Sequence, residues 1–109
     1  MSLVLVLVSA GSVFALNIPA NTWNDSYFDT IERVYPLDEG FAFVLSTHTY
    51  VGHGTSCNGG RQFWVRTSDP NYEQKAATVM AAFLSGRQIQ VYWDTADSCR
   101  AHVNRLQIR

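Results

Sequence analysis

Three histidines, two cysteines and nine carboxylates are the groups in this chain that could do chemistry. His48, His53 and Cys57 fall close together and could be imagined as metal ligands. Their spacing matches no compact zinc pattern, so no metal is expected. A nucleophilic Cys57 would need to be a free thiol with a histidine and a third orienting group. Cys57 and Cys99 are the only cysteines and neither belongs to a CxxC pair. In an oxidising compartment they would bridge; the other possibility is two unpaired buried thiols. The carboxylates Asp38-Glu39 and Asp94/Asp97 sit at expected turns, and no isolated pair suggests glycoside hydrolysis. Gly52, Gly54, Gly59 and Gly60 do not lead from a strand into a helix start, so no phosphate cradle is expected. His48 and His53 are expected to be solvated loop residues, and neither catalytic residues nor a cofactor are expected.

What remains is aromatic surface. Trp64 and Tyr92 fall on the strand faces opposite the apolar ones, and Tyr27 and Tyr50 lie in polar segments. An aromatic ring can pack on the apolar C–H face of a sugar while neighbouring polar groups read its hydroxyls. The same rings equally suit a subunit interface or plain packing.

The elements that must position these side chains are short. Residues 29–37 are expected as a bulged strand, because Ile31 and Val34 break strict alternation. Asp38-Glu39-Gly40 is a turn. Residues 41–47 form a second strand with Phe41, Phe43 and Leu45 on one face. A glycine-rich loop over 48–60 leads to a third strand at 61–67, with Phe63 and Val65 opposite Gln62, Trp64 and Arg66. Ser68 or Asp69 is expected to cap a helix with Pro70 in its first position. Tyr72, Ala76, Val79, Met80, Phe83 and Leu84 make one apolar stripe, and Gly86 is the left-handed stop. Residues 88–94 are a fourth strand with Ile89, Val91 and Trp93 on one face. Residues 99–108 are a fifth, bulged where Val103 falls out of phase with Leu106 and Ile108. Three strands, a helix and two strands is the order of a five-stranded OB-fold Greek-key barrel. A flat sheet with the helix on one face is the alternative.

The 109 residues suit one domain. With 47 % hydrophobic and 16 % charged residues the chain is globular rather than disordered. A formal net charge of −1, with no basic run, argues against nucleic acid. Residues 3–8 are apolar and are followed by small residues up to Ala15, which fits a signal peptide over 1–15 and an exported domain over 16–109. A buried N-terminal strand is the alternative. The run is too short to span a bilayer, so no membrane insertion is expected. A Cys57–Cys99 bridge in so small a domain would contribute about 4 kcal/mol by loop closure.

Several of these segments resemble the B subunits of AB5 toxins, in particular the subtilase-cytotoxin and pertussis-like group. The resemblance rests on Trp23-Asn24-Asp25, the strand at 31–35, and Phe83-Leu84-Ser85-Gly86 running into Gln88-Ile89-Gln90-Val91-Tyr92-Trp93-Asp94. It spans 23–108, and small secreted bacterial proteins share its general pattern. It implies an OB-fold that assembles as a homopentamer, binds cell-surface, often sialylated, glycans, and partners a separate catalytic A subunit. It also implies sugar contacts from a small polar residue before the first strand and an aromatic near the end of the fourth. Those positions fall at Ser26 or Tyr27 and at Trp93. With Tyr92 and Trp64 they make the expected glycan-binding set. The competing expectation is an exported OB-like adaptor or inhibitor that binds a protein partner.

Overall fold

The computed structural model describes residues 14–109. The expected signal peptide lies outside the described residues except for its last two. Among the described residues no helix is long and apolar enough to cross a membrane.

The chain is mostly β with one helix. A two-residue strand, β1 (Asn17–Ile18), leads through a single 3-10 turn at Asp25–Tyr27 into the hairpin of β2 (Ile31–Leu37) and β3 (Gly40–Leu45). β4 (Thr49–Tyr50) pairs in parallel with β1. The glycine-rich loop leads to β5 (Gln62–Arg66), then α1 (Tyr72–Ser85), β6 (Ile89–Ala96) and β7 (Ala101–Ile108). The main sheet has the order β2-β3-β5-β7-β6; β5 and β7 run parallel and every other neighbouring pair antiparallel.

This ladder is a mixed five-stranded sheet, not the continuously closed barrel expected from the strand order. The segment just before β2 meets the other outer strand, β6, through one isolated antiparallel bridge, Asp29 to Ile89, with backbone hydrogen bonds of 2.9 and 2.8 Å. Asp29 is buried. Its carboxylate accepts from the Thr47 and His48 amides and the Thr47 hydroxyl through Oδ2, and from the Thr30 amide through Oδ1. The residue that makes this bridge is thereby fixed to the end of the β2–β3 hairpin.

Alternation predicts the core faces correctly. Phe41, Phe43, Leu45, Phe63, Val65, Ile89, Val91 and Trp93 are all buried in one cluster with Val79 and Ala82 of α1. β3 is buried along its whole length. At its start, a Cβ on Gly40 would lie 1.9 Å from the Val65 carbonyl oxygen, so the β3–β5 approach requires glycine. Bulges fall in β2 between Ile31 and Arg33, and in the β6–β7 pair. There Arg105 pairs with Tyr92 and Val103 with Trp93, which leaves Asn104 as an extra residue on β7. Asp94 is likewise extra on β6, between the Trp93–Val103 and Thr95–His102 pairs. The β7 bulge is the reason Val103 is out of phase.

The helix differs from expectation at its start and in its buried face. Its N-cap is Asn71, held left-handed at φ 58 and making no side-chain cap bond, rather than Ser68 or Asp69. Asp69 instead receives the Arg66 amide at 2.8 Å, closing the loop after β5. Val79 and Ala82 carry the buried face, and Met80 and Leu84 are exposed. The stripe is rotated relative to the expected one because α1 packs against β2, β5 and β7 through its 76–79–83 side. Gly86 ends the helix at φ 71, as expected.

Candidate binding face

Cys57 and Cys99 are joined, with Cα atoms 4.5 Å apart, and tie the glycine-rich loop to the β6–β7 turn. The disulfide therefore excludes a thiol nucleophile at Cys57. His48 is buried rather than solvated, with Nδ1 accepting from the Leu16 amide at 3.1 Å. His102 is buried as well, 9 % exposed. Its Nε2 lies 2.7 Å from Asp69 Oδ2 and its Nδ1 2.8 Å from Asp94 Oδ1. Both ring nitrogens face carboxylate oxygens, so both have their partners within the fold. The pair of bulges produces this clasp by turning Asp94 and Asn104 together, and Asn104 donates to Asp94 Oδ2 at 3.2 Å. Burial raises the Asp94 carboxyl, but the hydrogen bonds from His102 and Asn104 outweigh it and hold the group below its ordinary value. Among the described residues no group of three or more histidine, cysteine, aspartate or glutamate side chains could hold a metal ion.

The expected sugar-binding residues divide three ways. Ser26 and Tyr92 are linked through Asn24 and Gln90. Asn24 caps the 3-10 turn by accepting from the Ser26 amide at 2.9 Å and from its hydroxyl at 2.6 Å. The Asn24 amide in turn donates to Gln90, a buried residue two before Tyr92. Ser26 is exposed and Tyr92 half-buried. Tyr27, in the same turn, is half-buried and packs against the core cluster. Trp93, by contrast, is core. It is 7 % exposed, its Nε1 donates to the Ile18 carbonyl at 2.8 Å, and its ring meets Tyr50 edge-on at 5.5 Å. Trp64 stands apart, separated from Tyr92 by β7. The guanidinium carbons of Arg66 and Arg100 lie 5.1 and 5.3 Å from the centre of its ring.

Two residues of this face were not in the expected set. Trp23 is 40 % exposed and packs against Tyr92, ring centres 5.2 Å apart. Arg105, paired across the ladder with Tyr92, places its guanidinium carbon 5.1 Å from the Tyr92 ring centre. Trp23 precedes the polar turn, and its tryptophan-asparagine pair was the available signal. Arg105 had none, because the β7 bulge decides which side of the strand it occupies.

The assembled surface is two adjoining aromatic rings, a cation, and the polar side chains of Asn24 and Ser26. Comparison with protein-family models, curated proteins and solved structures finds no match for this chain.

Proposed function

We propose that this chain is a non-catalytic, exported glycan-binding module that takes sugar on the Trp23–Tyr92 surface. The single observation that carries the reading is that ring pair, Trp23 exposed and Tyr92 half-buried, with Arg105 over Tyr92 and Asn24 and Ser26 in the turn after Trp23. Adjacent aromatic rings offer an apolar platform for a pyranose face, and the flanking amide, hydroxyl and guanidinium groups suit hydroxyls and an acidic substituent. The disulfide supports an oxidising destination.

The finer architecture belongs to the same proposal. The strand order, the parallel β5–β7 pair and the Asp29–Ile89 bridge support an OB-type barrel that closes at that bridge. By the toxin-subunit resemblance the reading extends to a homopentamer that presents several copies of the surface to a cell and carries a separate catalytic subunit. A glycan array with sialylated and neutral oligosaccharides tests it, alongside light scattering on the same sample. Specific glycan signal lost in Trp23→Ala, at a mass near five protomers, is the expected outcome. A monomer rejects the ring, and an array without signal rejects the sugar assignment.

The protein-partner alternative has its own observation. A cavity of about 360 Å³ between α1 and β2 is lined by Val34, Pro36, Phe41, Tyr72, Met80 and Phe83. An apolar cleft of that kind suits a hydrophobic side chain of another protein.

A further inference from the structure

The geometry points to the groove between α1 and β7 as the subsite for the acidic group of an anionic saccharide whose neutral part rests on Trp23–Tyr92. This inference rests on the glycan reading and deepens it. Two adjoining cavities, of about 350 and 230 Å³, make the groove, and Asn71, Lys75, Asn104 and Arg105 line both. The larger falls within the size range of small-ligand sites.

The lining is selective in charge. Among the described residues neither Lys75 nor Arg105 forms an ion pair. The carboxylate in the lining, Asp69, is already engaged by the Arg66 amide and by His102 Nε2. Two cationic residues without ion-pair partners therefore line a groove whose one carboxylate has Oδ2 engaged by the protein, which suits a carboxylate or sulfate ester. The Asn71 side chain makes no cap bond, and it stands at the groove beside Gln74 of the smaller cavity. Amides there can donate to and accept from sugar hydroxyls.

Arg105 joins the two halves. Its guanidinium lies over Tyr92, and the residue lines both cavities, so the groove adjoins the Tyr92 surface. A saccharide with one acidic substituent can span them, with the acid between Arg105 and Lys75.

Three probes with one common core test this: lactose, 3′-sialyllactose and 3′-sulfolactose, titrated into the full chain by calorimetry. Lactose reports the aromatic surface; the other two add a carboxylate or a sulfate. At least one acidic probe binds about tenfold or more tightly than lactose, and which of them does so names the acid. Lys75→Gln removes that advantage and leaves lactose affinity unchanged; Lys75→Arg retains it. The advantage shrinks as salt is raised. If lactose binds and neither acid improves on it, or if Lys75→Gln changes nothing, the groove is not an acid subsite and the glycan reading stands. If none of the three binds, both fall. A ten-residue oligothymidylate that binds through Lys75 while the sugars do not would reassign the groove to nucleic acid and overturn the proposal.

Discussion

Tyr92 and Trp93 are neighbours in sequence and sit on opposite sides of β6. Trp93 fills the core and hydrogen-bonds Ile18. Removing that ring leaves a cavity and takes one hydrogen bond from the Ile18 carbonyl, which keeps the Val51 amide at 3.0 Å, so Trp93→Ala is expected to cost about 3–5 kcal/mol. Tyr92 is half-buried on the outer face, and Tyr92→Ala is expected to abolish sugar binding with a much smaller fall in melting temperature. Thermal melts of the two variants, paired with glycan titration, check the contrast. Acid stability also belongs to this scale. At Asp97 burial acts to raise the carboxyl, but the Cys99 and Arg100 amides and the charges of Arg100 and Arg66 outweigh it and lower it. Asp94 and Asp97 both lie below the ordinary value of 3.8. Their contribution is therefore complete above that value and is lost as pH falls through the lowered ones. Melting temperature should fall on going from about pH 6 to about pH 3, and less steeply in Asp97→Asn.

At the scale of elements, strand faces and the end of the helix were legible because each depends on local chemistry. Alternation marked Phe41, Phe43 and Leu45 as core, and a glycine able to adopt positive φ marked Gly86 as the stop. The helix start was not legible. Asp69 is a competent cap by type, but it hydrogen-bonds Arg66 and His102, partners set by a turn and by a distant strand. The double bulge in β6–β7 was half legible. Val103 out of phase exposed the β7 irregularity, whereas the Asp94 insertion leaves no mark on apolar periodicity. That is why Arg105 and the His102 clasp could not be placed from sequence. Gly40 gives an element-level prediction. Since its Cβ would collide with the Val65 carbonyl, Gly40→Ala must push β3 from β5 and should cost several kcal/mol, on the order of an overpacked core position. Chemical denaturation measures it.

For the whole molecule, the disulfide and the Asp29–Ile89 bridge perform complementary tasks. One ties the glycine-rich loop to the β6–β7 turn, and the other fastens the segment before β2 to β6. Opening the disulfide releases a long loop, so reduction should lower stability by up to about 4 kcal/mol. A melt unchanged in reductant would show that the cross-link contributes nothing. Neither tie creates the aromatic surface directly. Trp23 reaches Tyr92 because the N-terminal segment is laced onto β6, through Asn21 to the Trp93 carbonyl and Asn24 to Gln90. The measurement that bears most directly on sugar binding there is amide chemical-shift mapping during titration with 3′-sialyllactose. Saturable shifts at residues 23–27, 90–92 and 105, extending to 71–75, are the expected result. No saturable shifts, or shifts centred on the cleft between α1 and β2, would contradict it.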